Sequence, residues 1–352
     1  MENIVASFEE DSKKLIADIV TLIDTAQDHV AREYNSAQVT LCWMIGKRID
    51  HEILQGDRAV YGQKIMSCVA QELSAKYGKG YGKVNLSRML KFSKLFPDPQ
   101  IVSTLSKQLS WSHMVLICAI DDDLQRDFYI EMCRINKWSV RAFKKQIDSM
   151  MFERTAISKK PELVVKQNIA LLKEQDILTP EMIFKDPYFI NFTHGKNANS
   201  EEALENLIIS NITDFLQELG NNFCLVARQK RMSTGKKDRY LDLLFFERRM
   251  QRLIAIDLKI GQFDPAYKGQ MEWYLNWLDR NERLPHEQKP IGIILCAGKD
   301  ADDIAYLEMD KTEIHIAEYA FDIPQNLLES KLKTAIAIAK ESYITQQIMQ
   351  EA

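Results

Sequence analysis

The chain has 352 residues, a length that suggests two domains, and its 46% hydrophobic and 27% charged residues are ordinary for a globular protein with room for a core. A formal net charge of −4 excludes a globally basic surface, so any contact with a polyanion has to come from local basic patches. No apolar run approaches the roughly 18 to 20 residues of a membrane span, and the amino-terminal MENIVASFEEDSKK lacks the basic-then-apolar layout of a signal peptide, so a cytoplasmic protein without membrane contact is expected.

Residues from about 8 to 154 read almost wholly as helix, because apolar side chains recur at three- and four-residue spacing: Leu15, Ile19, Leu22 and Ile23, then Ile65, Met66, Val69 and Leu73. Glycines in Tyr77 to Lys83 supply a turn, Pro97 and Pro99 close the helix NLSRMLKFSKLF, a serine-capped helix follows LSWSH, and a last one runs through WSVRAFKKQIDSMMFER. Two helices around a glycine turn, with Lys79, Lys83, Arg88, Lys91 and Lys94 nearby, allow a helix-turn-helix that recognises DNA. A helical oligomerisation or partner-binding domain accounts for them equally well. Trp43, Trp111 and Trp138 are expected as core anchors. From Thr155 to Asn199 the pattern weakens around Pro161, Pro180 and Pro187, with room for a helix in LVVKQNIALLK. The expected division is a helical domain over 1–155, a connecting segment over 156–199 and a second domain over 200–345.

After Ser200 the texture changes. SEEALENLIISNITDFLQEL is an amphipathic helix capped by Asn199 or Ser200 and stopped by Gly220. Three apolar runs, FCLVARQKRM, RYLDLLFFE and RLIAIDLK, are separated by the turns STGKKD and RRMQ; a helix, DPAYKGQMEWYLNWLDR, and a buried strand, PIGIILCA, follow. One sheet with helices packed on its faces satisfies this order. The six cysteines are scattered in apolar contexts without a Cys-x-x-Cys pair, which points away from zinc and disulfides and towards small buried side chains.

Asp242 and Asp257 stand inside apolar strands, where an ionised group is costly unless it is paired or binds metal. Strand alternation puts Asp257 and Lys259 on one face, and pairing of the two strands brings Asp242 to the same place. Two carboxylates, with the backbone carbonyl of Leu258 as a third ligand, make a hard-oxygen site suited to Mg²⁺ or Mn²⁺, beside which Lys259 can orient water. A structural Asp257–Lys259 ion pair with Asp242 closing a turn is the plain alternative. Gln270 and Tyr274 share a helix face one turn apart, as catalytic groups or as a buried amide and a core tyrosine.

Asp242, then Asp257-x-Lys259, then a helix carrying Gln270-x-x-x-Tyr274 resemble the PD-(D/E)xK nuclease superfamily in its glutamine-tyrosine variant. More closely, ELGNNFCLVARQ, YLDLLFF, IAIDLK and GQMEWYL, preceded by the helical block with LSWSH and KWSVRAFKKQI, resemble the bacterial YhcG-like nucleases. The resemblance implies an α+β or α/β fold: a helical amino-terminal domain, then a restriction-endonuclease-like αβββαβ core with a mixed central sheet. It also implies a Mg²⁺-dependent deoxyribonuclease in which Asp242 and Asp257 ligate the metal, Lys259 positions water and Gln270 assists at the scissile phosphate. The sequence departs from the pattern in having Leu241 before Asp242, and Asp257 where glutamate is commoner.

The superfamily often adds an acid from the first helix. Glu218 falls within the apolar face and near the helix carboxyl end, where negative charge is disfavoured; it is preferred here over Glu205, at the edge of that face and more ordinarily a solvated residue. Arg228, Gln229, Lys230, Arg231, Lys236, Lys237 and Arg239 form a candidate nucleic-acid surface. DNA is the expected partner, with a homo-oligomer or protein partner through the helical domain. A non-catalytic nucleic-acid-binding or assembly protein on the nuclease scaffold is the second reading, and a small-molecule phosphoesterase the third.

Overall fold

The computed structural model describes residues 2–54, 59–190, 200–220, 222–235, 237–300, 303–304, 307, 313–320, 329–330, 332–334 and 336–337. Two compact units divide the chain at Lys144 and Lys145. Among the described residues no helix is long and apolar enough to cross a membrane.

The first unit is helical, as its periodicity predicts. α1 (Glu2–Leu54) and α2 (Ala59–Tyr77) lead through a 3-10 turn into α3 (Lys83–Leu95), followed by α4 (Pro99–Ser106), α5 (Trp111–Ile117), α6 (Asp123–Asn136) and α7 (Val140–Asp148), which spans the division. Pro99 does not end α3 but starts α4, where Asp98 accepts a bond from the Gln100 amide and the missing proline N–H costs nothing. Ser110 caps α5, so that helix begins inside LSWSH. α1 crosses α3 at Gly46, where a Cβ would stand 2.0 Å from the Met89 carbonyl oxygen. Trp111 and Trp138 are buried, Trp111 meeting Phe92 edge-on at 5.8 Å, and Trp43 Nε1 donates to the Phe96 carbonyl at 2.7 Å.

The second unit opens with α8 (Met151–Arg154), α9 (Glu162–Gln175), α10 (Pro180–Ile183) and β1 (Tyr188–Phe189), then α11 (Glu201–Ser210), α12 (Ile212–Leu219), β2 (Phe223–Thr234), β3 (Lys237–Glu247), β4 (Arg252–Leu258), α13 (Ala266–Asn281), β5 (Ile291–Cys296) and β6 (Ile314–Ala320). Among the described residues six strands form one mixed sheet in the order β1-β6-β5-β4-β3-β2. β2, β3 and β4 are an antiparallel meander, whereas β4, β5, β6 and β1 run parallel. This is the α+β class, with the expected αβββαβ order at its heart. The amphipathic helix of residues 200–219 is broken at Asn211 into α11 and α12, and Gly220, at φ 136°, stops it as expected.

β5 is buried along its whole length, as suits an unbroken apolar run inside a parallel sheet. α13 lays Met271, Tyr274 and Leu278 against Leu244, Ala255, Ile294 and Ile316. Gly292 allows this approach, since a Cβ there would fall 2.5 Å from the Met271 side chain. Phe245, one residue from Leu244 and so on the opposite face, meets Phe215 of α12 at 6.1 Å, so helices cover both faces. All six cysteines are free, but only Cys42, Cys118, Cys133 and Cys296 are buried; Cys68 and Cys224 are exposed, against the expectation, because one falls on the outer face of α2 and the other on β2, the sheet's edge strand.

Candidate active site

The ladder between β3 and β4 ends at Leu243 opposite Ile256, and one further step of the same register sets Asp242 opposite Asp257. There the carboxylate of Asp242 takes over the pairing, Oδ2 accepting from the Leu258 amide at 2.8 Å. On its other side β2 pairs Arg228 with Leu243 and Lys230 with Leu241, which sets Gln229 beside Asp242. Gln229 Nε2 donates to Asp242 Oδ1 at 3.0 Å. Its φ of 45° breaks the strand alternation, and both Gln229 and the preceding Arg228 reach the same carboxylate, Glu205 of α11. A non-glycine residue in the left-handed region costs on the order of 1–2 kcal/mol, a strain found mostly where a side chain must be aimed.

Lys259 stands just past the end of β4. Its Nζ lies 2.9 Å from Asp257 Oδ2, as strand parity predicts, though that oxygen accepts no geometrically formed hydrogen bond. The ammonium also lies 3.7 Å from Glu201 Oε2 and 5.0 Å from the ring centroid of Tyr267, two neighbours that the sequence reading did not single out. Gln270 Nε2 donates to Tyr274 Oη at 2.7 Å, and Tyr274 Oη donates to the Tyr240 carbonyl at 2.9 Å, so the pair expected to share a face is hydrogen-bonded. Tyr274 is also a core residue, 2% exposed.

The electrostatics follow from this crowding. Burial pushes Asp242 up to about 6, the neighbouring Asp257 adds to the push, and the bonds from Leu258 and Gln229 oppose it. Burial also raises Asp257, against the attraction of Lys259. Burial lowers Lys259, but Asp257 outweighs it and the ammonium is held above its ordinary value. The attraction wins for the lysine and not for the aspartate because Glu201 and Asp242 add to the pull on Lys259, whereas Glu201 repels the Asp257 carboxylate. Two carboxylates with one ammonium leave an excess of negative charge. That is a fit for a hard divalent cation with oxygen ligands. Among the described residues no three His, Cys, Asp or Glu side chains gather closely enough to hold a metal on their own. Asp242 and Asp257 are the carboxylates that could hold one there.

Glu218, the preferred helical acid, is not part of this constellation. Its Oε1 accepts from Arg154 and, at 3.1 Å, from the Phe189 amide, and its Oε2 lies 3.5 Å from Lys185 Nζ. Burial opposes its ionisation, but Lys185 and Arg154 outweigh it and hold the carboxyl below its ordinary value. The unfavourable place on the helix is thus compensated by two buried cations. Glu205, expected as a solvated edge residue, is instead 2% exposed and joined to Asp242 through Gln229, because the break at Asn211 belongs to a helix pair whose first member carries the acid to the site.

The basic surface is also altered. Arg228 bonds Glu205 and Asn206, Lys230 lies 2.7 Å from Glu282, and Arg231 lies 2.9 Å from Asp238. Three of the expected phosphate contacts are thus already occupied by acids. Among the described residues Lys237 and Arg239 meet no carboxylate, the Arg239 guanidinium lying 4.1 Å from the Trp273 ring centroid; Lys236 lies outside the described residues.

Comparison with known proteins bears on both units. Residues 181–335 match the model of the YhcG PDDEXK nuclease domain, and residues 18–154 match the DUF1016 N-terminal domain. The chain is 30% identical over 358 residues to a protein of Escherichia coli (strain K12) named "Putative nuclease YhcG", the match covering 92% of this chain and 94% of that one. Among solved structures it is similar to a repair endonuclease from Pyrococcus abyssi, at 18% identity, TM-score 0.26, 38% of this chain and 51% of that one. An EndoMS complex with double-stranded DNA matches at 15% identity, TM-score 0.27, 38% of this chain and 50% of the other. The chain spans about half the length of these two structures.

Proposed function

The chain belongs to the YhcG family of PDDEXK nucleases, and from that premise we propose that it is a divalent-metal-dependent nuclease hydrolysing phosphodiester bonds, with DNA as its substrate. The observation that carries the reading is the facing pair Asp242 and Asp257 at the end of β4, with Lys259 Nζ 2.9 Å from the second. In this proposal Asp242, Asp257 and the Leu258 carbonyl hold Mg²⁺ or Mn²⁺, which when bound supplies positive charge against the phosphate oxygens. Mg²⁺ keeps several waters and takes few carboxylates, which agrees with a two-carboxylate site.

The chain's own groups then divide the remaining work. Lys259, fixed by Asp257 and kept charged by it, orients the attacking water and counters negative charge building on the phosphate. Glu205 holds Gln229, and Gln229 holds Asp242, so the acid of α11 acts on the ligand through the strained strand residue. Gln270, backed by Tyr274, stands on α13 as the group that contacts the phosphate ester. Lys237 and Arg239 are the basic residues proposed for the nucleic-acid backbone. The helical residues 1–155 are proposed as a substrate- or partner-binding domain. DNA is the polynucleotide that the superfamily resemblance implies, and RNA stands beside it as an arm of the assay.

The test is cleavage of single-stranded, duplex and branched DNA and of RNA with Mg²⁺ or Mn²⁺, comparing the wild type with Asp257→Ala and Lys259→Ala. Loss of a metal-stabilised charge of this kind is expected to lower the rate on the order of 10²–10³-fold. Equal cleavage by all three proteins would sink the assignment. Salt-sensitive DNA binding without cleavage by the wild type would favour the scaffold reading instead.

A further inference from the structure

Every α1 residue from Ile19 to Tyr34 whose side-chain exposure the structure describes is exposed, although the stretch contains Ile19, Val20, Leu22, Ile23, Val30 and Tyr34. Further along, α1 docks on its own unit. Ser36 bonds Ser106, Trp43 bonds the Phe96 carbonyl, Gly46 meets Met89 and Asp50 pairs with Lys94. Ser36, Trp43 and Asp50 are spaced by seven, with Val39 and Gly46 between them, so one side of the helix faces inward at a heptad period.

The opposite side carries a second heptad series. With Val20 in the first position, the a places are Val20, Gln27, Tyr34 and Leu41, and the d places are Ile23, Val30, Ala37 and Met44. The spacing alternates three and four without interruption, and all eight are exposed, the large apolar ones between 46% and 68%. The seam therefore runs unbroken from the first part of the helix into the docked part, facing away from the unit's core. A helix with such a stripe in water is short of a partner, because most helical stability comes from packing its apolar face. A 3.5-residue repeat is the pattern that a supercoiled helix partner satisfies.

The seam's composition identifies that partner. With Ile19 and Leu22 at its edges it runs about 36 Å along the helix, long enough to make one side of a standard stable interface. Its one polar member, Gln27, is at an a position. In a parallel in-register pair a meets a, so the two Gln27 amides bond each other; in an antiparallel pair the amide would meet an apolar d residue. We propose that α1 forms a parallel two-stranded coiled coil with α1 of a second copy of this chain, so that the protein is a dimer through its amino-terminal helix.

Sedimentation equilibrium of the full chain tests this over a wide concentration range. The expected result is twice the chain mass for the wild type, and a monomer for the triple variant Ile23→Asp, Val30→Asp, Tyr34→Asp, with the thermal unfolding of the remainder unchanged. Because that variant also lowers the helix propensity of α1, Gln27→Lys is the second reading: like charges meet in a parallel seam, and association weakens at least roughly ten-fold, recovering in part with salt. A monomeric wild type overturns the proposal, and so does a dimer that survives the triple variant. A dimer lost in the triple variant but indifferent to Gln27→Lys overturns the parallel register.

Discussion

At the end of β4, Asp257 pairs with one cation, Lys259, which also attracts Asp242, whereas Asp186 and Glu218 each meet two: Lys159 and Lys299 for the first, Arg154 and Lys185 for the second. Both sets are carboxylates enclosed in the same unit, and burial penalises every one of them. The balance of charge separates the outcomes. In the first set burial prevails and the carboxyls are raised; in the second the cations prevail and the carboxyls are lowered. A carboxylate that already meets two cations is finished as it stands and can serve the fold. A cluster left short of positive charge is poised for a cation, and that difference supports a function for the first set and a structural role for the second.

Exchanging one acid in each set sharpens the contrast. Glu218→Gln leaves Arg154 and Lys185, which are 0% and 2% exposed, without their counter-charge. We expect a loss of about 3–5 kcal/mol in urea unfolding, with cleavage per folded molecule unchanged. Glu205→Gln is expected to behave conversely. Its partner Arg228 is 40% exposed and can turn to water, so stability changes little, while cleavage falls on the order of 10²-fold as Gln229 loses its anchor. If Glu218→Gln abolished cleavage in a folded protein, or Glu205→Gln left it intact, the division between the two clusters would be wrong.

Glu218 and Glu205 exchange the places that the sequence preference gives them: the first meets Arg154 and the second Gln229. A helical wheel places Glu218 on the apolar face correctly, and its side chain is enclosed, but enclosure alone does not distinguish a site from an ion pair. The partners that decide it are 64 and 33 residues away: Arg154 at the end of the last helix of the first half, and Lys185 in a stretch with little periodicity. The same stretch hides β1, whose two residues pair with β6 at Tyr188–Tyr319 and Phe189–Ala320. Two-residue strands leave no alternation to read. By contrast, β3, β4 and α13 were legible because each carries a strong pattern, and Asp257 and Lys259 were legible together because strand parity is a local rule. In the sequence Gln229 reads only as one member of the candidate nucleic-acid surface. Its positive φ and its bridge from Glu205 to Asp242 depend on the tertiary approach of α11.

The structural cluster also has its own response to acid. His315 on β6 presents Nε2 3.1 Å from the Lys185 carbonyl and stacks on Phe184 at 5.6 Å. Since a carbonyl only accepts, Nε2 carries the proton. Burial first, then Lys299, lowers the imidazole to about 4, with Asp186 and the Lys185 carbonyl opposing and Lys159 assisting. A histidine lowered in the folded state takes up its proton first on unfolding. Its contribution to stability is therefore complete above about 6.5 and is lost as pH falls towards 4. Comparing unfolding midpoints of the wild type and His315→Gln from pH 7 to 4.5, we expect the wild type to lose about 2–3 kcal/mol more than the variant. Parallel curves would remove His315 from the network's acid response.

The smallest expected effect bears most directly on the metal. Asp242 is held up to about 6 by burial and by Asp257, so at neutral pH and without a divalent cation its ionised form works against the fold. Asp242→Asn keeps the shape, and its amide oxygen still accepts from Leu258, although its amide nitrogen replaces the acceptor of Gln229 and so takes back part of the gain. The variant should therefore be more stable than the wild type by about 1 kcal/mol in the presence of a chelator, a gain limited by the partial exposure of the site. Adding Mg²⁺ should reverse the order: a ligand that binds only the folded wild type raises its melting temperature with concentration, and the variant, lacking one carboxylate, gains little. In the Glu218 cluster no such reversal is expected, because its carboxylate already meets two cations. A wild type whose melting temperature ignores Mg²⁺ and Mn²⁺, together with an Asp242→Asn variant no more stable than it, would show that the two clusters differ in position and not in purpose.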